Sequence, residues 1–411
     1  MKSLIVLVCL ACLLGSETWA QPQSDPPLVG FSFSPNLSEW AGREPDADLR
    51  RLLTETHPDL VRLPIYWDAV QSSPGVLDFT SIDELLEVVA EHNKTSVDPT
   101  RVVLTIGARN FLYPELHQPA WAGPREQPYI NSSQTGSDYR AYFETSITRY
   151  MDSPLLYAWQ VENEPFDLVH NDITADDRIS ASQLTWEIDR VHELDPVHDA
   201  VVTTYNGWNV TIDMMQLYAA PVLARLGGSS GHPEEALQAG DALGLDLYVD
   251  GPPIKADFAT VGLRTVWKQQ AVDFWANRAH GMGKDFWIAE MQAAPWGDET
   301  SFMTSDLLKG AADYRREPVD VVLMWGAETW LEDPIWLSAV TRAMDLMRIF
   351  DQIFILTQGG PGFATETLSL YIYRTAFRFF NFGYAAAMSL LGLLLTMVFA
   401  HSLMRVIKVS R

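Results

Sequence analysis

The chain has 411 residues, 47% of them hydrophobic and 20% charged, which supports a large core and argues against a disordered chain. A formal net charge of −24 argues against nucleic acid and anionic lipid as partners of the body. The charge is uneven: from Thr341 onward seven basic side chains face three acidic ones, while the first 340 residues hold 22 basic and 50 acidic, so the two parts look different in origin.

The first 20 residues read as a secretory signal. Lys2 gives the positive start, Leu4 to Leu14 the apolar stretch, and Thr18-Trp19-Ala20 a cleavage site before Gln21. The apolar run is too short for a membrane anchor, the alternative reading. The only two cysteines, Cys9 and Cys12, lie inside this segment, so the mature chain is expected to use neither disulfides nor a catalytic thiol.

Short apolar runs then alternate with amphipathic stretches. Strands are predicted at Leu28–Phe33, Leu60–Pro64, Val102–Ile106, Leu156–Val161, Ala200–Thr204, Leu243–Tyr248, Phe286–Ala289 and Val319–Trp325. Helical patterns fall between them. Ile82, Leu85, Leu86 and Val89 form one apolar stripe, with Asp83, Glu84 and Glu87 opposite. Similar patterns run from Arg178 to Leu194 and from Val261 to Ala279. Eight such βα units over residues 21–340 suit a closed α/β architecture, the (β/α)8 TIM barrel, better than an open sheet. The loops after the strands are rich in Trp, Tyr, Asn and Pro, and in this architecture those loops form the catalytic face.

Two carboxylates stand at predicted strand ends. Glu164 follows the fourth strand in Trp159-Gln160-Val161-Glu162-Asn163-Glu164-Pro165, and Glu290 follows the seventh in Phe286-Trp287-Ile288-Ala289-Glu290. A carboxyl at the end of a buried strand is partly desolvated, so its pKa can be tuned. Two of them satisfy the need of glycoside hydrolysis for one proton donor and one nucleophile or base. Glu162 is read as structural.

Asn163-Glu164-Pro165 together with Trp287-Ile288-Ala289-Glu290 resembles the clan-A retaining glycoside hydrolases, which include the cellulase-like family five enzymes. The resemblance implies Glu164 as acid/base and Glu290 as nucleophile. It further implies that Arg62, in Val61-Arg62-Leu63-Pro64, hydrogen-bonds the nucleophile, with Trp67 beside it in the substrate site. Asn163 would contact the sugar 2-hydroxyl, Tyr248 would hold the nucleophile, and Trp325 would floor the reacting-sugar subsite. One departure touches substrate identity: the His that many relatives carry near the ends of strands three and six is missing from Gly107-Ala108-Arg109-Asn110 and Tyr248-Val249-Asp250. No metal-ligand cluster or phosphate loop stands out, so no cofactor is expected.

From about Met344 the sequence changes style. Phe350 to Gly362, with its Leu356-Thr357-Gln358-Gly359-Gly360-Pro361 run, and the later Gly383-Tyr384-Ala385-Ala386-Ala387 resemble the C-terminal end of a bacterial sugar ABC transporter permease. The coupling loop that grips the ATPase has no counterpart here, nor have the earlier permease helices. Gly383 to Leu403 is long and apolar enough to span a bilayer, which needs about 20 residues. Arg405, Lys408 and Arg411 follow it and place that end in the cytoplasm.

The reading is therefore an exported barrel tethered to the bacterial inner membrane through a C-terminal transmembrane helix. Its expected partners are an oligo- or polysaccharide substrate, the membrane and sugar transporter subunits, with no nucleic acid. The alternative function is a membrane component of a sugar ABC transport system, with a non-catalytic sugar-binding barrel on a permease fragment.

Overall fold

The computed structural model describes residues 26–345, apart from 113–114, 124–127, 167–178, 206–232, 249–253, 257–258, 262–264, 296–301, 315–317 and 333–334, together with scattered positions between 371 and 391. The predicted signal segment lies outside the described residues, and so does most of the 383–403 stretch expected to cross a membrane. Among the described residues no helix is long and apolar enough to do so.

Among the described residues ten strands are present: β1 (Leu28–Ser32), β2 (Leu60–Pro64), β3 (Arg101–Ile106), β4 (Leu156–Val161), β5 (Ala200–Tyr205), β6 (Ala242–Leu247), β7 (Ile254–Ala256), β8 (Ala259–Val261), β9 (Asp285–Gln292) and β10 (Val321–Trp325). Eight close into a parallel barrel in the order β1-β10-β9-β6-β5-β4-β3-β2, while β7 and β8 pair only with each other as an antiparallel hairpin. This is the (β/α)8 topology expected from the sequence. The hairpin was not anticipated, because three-residue strands leave no alternation to read.

Helices cover the outside of the barrel. Thr80–Asn93 buries Ile82, Leu85, Val88 and Val89, so Val88 takes the buried place expected of Leu86, which is only partly buried. Ala181–Leu194 starts where the Ser180 hydroxyl accepts the Gln183 amide, an ordinary cap that satisfies one of the free N–H groups of the first turn. Residues 335–345 continue the body as helix, and Val340, Ala343 and Met344 are packed into its core.

Two apolar layers result. Between strands and helices lies the larger, with Phe31, Leu63, Leu104, Trp159, Ile288 and Met291 among its members. Inside the barrel a smaller plug is built from Leu60, Val103, Ala158, Val201, Ala242, Trp287, Val321 and Leu323. These are inward-facing residues of seven barrel strands, β10 giving two, as the filled interior of such a barrel requires. Two residues further along each strand, alternation brings the next inward position. On β2, β4 and β5 the side chains there are polar: Arg62, Gln160 and Thr203 stand above Leu60, Ala158 and Val201. The interior thus changes from apolar floor to polar mouth within one strand repeat.

Candidate active site

β9 breaks the alternation. Leu243, Gly244 and Leu245 of β6 pair with Phe286, Trp287 and Ile288, but Asp246 pairs with Glu290, leaving Ala289 as an extra residue in the ladder. A bulge of this kind re-aims the side chains beyond it. Trp287 and Glu290, three residues apart, therefore both face the interior, whereas Ile288 and Met291 face the helices. Without the bulge Glu290 would point out of the barrel.

Inside, Glu290 is 5% exposed and held from two sides. Arg62 Nη2 donates to its Oε1 at 2.6 Å, and the Tyr248 hydroxyl donates to its Oε2. Arg62 is itself fixed: Nε donates to Ser32 Oγ at 2.8 Å, Nη1 to Gln160 Oε1 at 2.8 Å, and the guanidinium lies 4.1 Å over the Phe111 ring. Burial, then the nearby Glu290 charge, pushes the Tyr248 phenol far above its ordinary value, so it stays a donor at any physiological pH.

Glu164, 7% exposed, sits beyond β4 in a backbone conformation that non-glycine residues rarely adopt. Glu162 has φ +60° and Glu164 φ +44°. Such strain persists only when the surroundings enforce it, and it concentrates at functional sites. Here the surroundings are specific. The Glu164 amide donates to Thr203 Oγ1 at 3.0 Å, Gln160 Nε2 donates to Asn163 Oδ1 at 2.9 Å and to the Glu162 carbonyl at 3.1 Å, and Arg109 Nε donates to the Asn163 carbonyl at 2.8 Å. Glu162 turns away from the mouth and accepts the Ala108 and Arg109 amides at 2.9 and 2.5 Å. The Tyr139 hydroxyl donates to it at 3.2 Å and contacts Glu187 as well. Burial raises both carboxyls, Glu187 strongly, with the Glu162 charge as its second cause.

The structure thus brings Arg62, Asn163, Glu164, Tyr248 and Glu290 to one end of the barrel. Trp325, half-buried at the end of β10, joins them: its ring meets that of Tyr248 edge-on at 6.0 Å, and it is the register partner of Gln292. Trp67 does not belong with them. It is 0% exposed, its Nε1 donates to Gln71 at 2.8 Å, and its ring packs among Trp121, Tyr129, Tyr139 and Tyr142. The short helix Trp67–Val70 turns the ring into the core behind the site.

Three side chains went unassigned in the sequence. Gln160 links Arg62 to Asn163. Glu328 is buried beside Trp325, accepts the Ser34 amide, and is pushed by burial up to about 7. Asp246 is fully buried between Glu290 and Glu164, and neither of its oxygens receives a hydrogen bond from an N–H or hydroxyl group of the described residues. Its signal in the sequence was a charged residue inside the apolar run Leu245-Asp246-Leu247.

No family model matches the chain. The structure is similar to a GH5_18 protein from Streptomyces cattleya solved in complex with GlcNAc, at TM-score 0.52 and 14% identity, covering 73% of this chain and 70% of that one. A second GH5_18 structure, from Bifidobacterium longum subsp. infantis, gives 0.51 and 12%, covering 79% and 78%. At such identities the likeness establishes the barrel fold. Curated relatives match a different share of the sequence's length. A probable ABC transporter permease protein, y4oQ of Sinorhizobium fredii, is 37% identical over 100 residues, or 22% of this chain and 32% of its own. The lactose transport system permease protein LacF of Rhizobium radiobacter is 36% identical over 93 residues, or 21% and 31%. A probable mannan endo-1,4-beta-mannosidase of Aspergillus terreus is 39% identical over 46 residues, 11% of this chain and 12% of its own. The chain spans about a third of the length of the permeases it matches.

Proposed function

We propose that the barrel is a glycoside hydrolase that cleaves a β-linked sugar with retention, Glu290 acting as nucleophile and Glu164 as acid/base. The observation that carries this reading is the inward carboxylate of Glu290, fixed by Arg62 and Tyr248, with the second carboxyl, Glu164, at the same mouth. A carboxylate held by two donors is aimed, as a nucleophile must be. Glu164 protonates the leaving oxygen in the first step and takes a proton from water in the second. Asn163, whose Oδ1 is engaged by Gln160, offers its amide N–H2 to the sugar 2-hydroxyl. Trp325 supplies an apolar platform for the sugar ring.

The substrate class best supported is a β-mannoside. A single-site variant of the Streptomyces cattleya protein was solved in complex with Manβ1-4GlcNAc, and the partial curated relative is named a mannosidase. The body is exported and tethered to the inner membrane by the apolar 383–403 stretch, next to sugar transporter subunits, a reading supported by the permease relatives.

The full chain should hydrolyse an aryl β-mannoside and Manβ1-4GlcNAc, and proton NMR of the first-formed sugar should show the β-anomer. First-formed α-anomer would replace retention with inversion. A second reading, sugar binding for a transport system, draws on the same permease relatives. Saturable sugar binding without turnover across a panel of aryl β-glycosides would decide for it.

A further inference from the structure

Asp246 is a carboxyl with no evident support. It lies on the interior face of β6, is 0% exposed, and no N–H or hydroxyl group among the described residues donates to it. An ionised carboxylate in that position would lack the hydrogen bonds that burial of charge requires. Its neighbours are themselves acidic. Across the β9 ladder its register partner is Glu290, and its side chain reaches the carboxyl of Glu164 within hydrogen-bonding distance. Glu115, in the loop after β3, adds a third negative charge, and Tyr248 follows β6 directly. Tyr205 is its partner in the β5 ladder. Among the described residues the cation facing it is Arg62 on β2, which is already engaged by Glu290, Gln160 and Ser32.

Two adjacent buried carboxyls cannot both ionise at little cost; one proton shared between them removes the repulsion and makes a strong hydrogen bond. We propose that Asp246 is held as the neutral acid and gives its O–H to the Glu164 carboxylate, positioning the acid/base and stabilising its ionised form. The inference rests on the glycosidase reading of Glu164 and Glu290. Burial, and then the Glu290 charge, raises Asp246 well above the ordinary carboxylate range; the Arg62 charge and the contact with Glu164 act the other way and do not outweigh them. Through the reaction Asp246 keeps its proton. Glu164 loses its own to the leaving oxygen in the first step, is held by the Asp246 O–H as a carboxylate, and regains a proton from the attacking water in the second. Asp246 is therefore a positioning residue whose effect falls on the basic limb of the pH profile, where Glu164 loses its proton in the free enzyme.

The test compares the full-length protein with Asp246→Asn and Asp246→Ala, measuring kcat/KM against pH on an aryl β-mannoside. An amide N–H2 replaces the acid's O–H as donor, so Asp246→Asn should leave the basic limb within a few tenths of a pH unit. Asp246→Ala removes the donor and should move that limb up by about one unit. Both variants moving it down would mean that Asp246 is ionised in the native protein; neither moving it would mean no contact. Either result overturns the proposal. A measurement independent of turnover covers a poorly folding alanine variant or a wild type inactive on every glycoside. An acid whose pKa is raised by folding loses stability as pH climbs above its unfolded value. The Tm of Asp246→Asn relative to wild type should therefore rise steadily with pH from about 4 upward. A flat or falling difference overturns the proposal, while an inactive wild type with a rising difference overturns only the glycosidase reading.

Discussion

Thr203 Oγ1 accepts the backbone amide of Glu164 at 3.0 Å, tying the strained peptide after β4 to the middle of β5. Thr203→Val keeps the shape and removes the acceptor, leaving a buried N–H without a partner at a cost of about 1–3 kcal/mol. The Glu164 carboxyl would then be poorly aimed. We expect kcat to fall by about tenfold or more with KM little changed, and Thr203→Ser to restore most of it. Equal activity in the valine variant would show that the φ of Glu164 is maintained by other contacts.

The two glutamates should differ in how their loss is felt. Glu290→Ala removes the nucleophile and should abolish turnover on every substrate. Glu164→Ala should be selective, because a dinitrophenyl glycoside departs without protonation. General acid help is worth about 10²–10⁴-fold, so the gap between good and poor leaving groups should be of that size. Azide, which needs no general base, should restore turnover and yield a β-glycosyl azide. Uniform loss on both substrate types without azide rescue would reject Glu164 as the acid/base.

Gly107 fixes the back of the site. It has φ +128°, and an added Cβ would stand 2.4 Å from the Glu162 carboxyl carbon. That carboxyl holds the amides of Ala108 and Arg109, so it cannot yield without releasing the loop after β3. Gly107→Ala should destabilise the fold by about 2–4 kcal/mol, read by urea unfolding. Unchanged stability would mean that Glu162 is not locked in place.

Much of this was legible in the sequence, and the failures share a cause. The β2 and β4 bounds coincide with the predicted ones, and the other barrel strands differ by a few residues at most. In a parallel barrel both strand faces are buried, so each strand reads as an apolar run and the period-two signal that separates inside from outside fades. The run therefore locates the strand without assigning its faces. Asp246 was missed for this reason, and the extension of β9 past Ala289 was hidden by its bulge. Simple alternation would also put Glu162 on the face of Gln160; a φ of +60° redirects it. Trp67 looked like a loop aromatic, but it opens a one-turn helix that carries it into the core.

Glu328 should leave a mark on stability. Its carboxyl is pushed from the ordinary 4.5 up to about 7, mainly by burial. A raised acid contributes stability that is fully present below the unfolded value and is lost as pH climbs through the folded one. Between about pH 4.5 and 7.5 the wild type should therefore lose about 3 kcal/mol relative to Glu328→Gln, whose side-chain oxygen still accepts the Ser34 amide. Parallel stability curves for the two proteins would reject the shift.

The apolar 383–403 stretch and its basic flank give a fractionation experiment. The full chain should sediment with membranes and resist alkaline carbonate, while a chain ending at Asp345, which keeps the core residues Ala343 and Met344, should not. Recovery of the full chain in the soluble fraction would remove the tether.

The bulge at Ala289 gives β9 two phases. Before it, odd-numbered residues look into the barrel; after it, even-numbered ones do, as Trp287 and then Glu290 show. The strand therefore carries one residue more than its ladder counts. Deleting Ala289 would close the ladder without turning the nucleophile outward, since Glu290 would simply inherit the vacated inward place opposite Asp246. Inserting a residue between Ala289 and Glu290 without a compensating kink would send the carboxylate into the helix layer and turn Met291 inward. Tolerance to length change in this strand is thus one-sided, and an alignment gap at Ala289 costs the chemistry far less than a gap one step later.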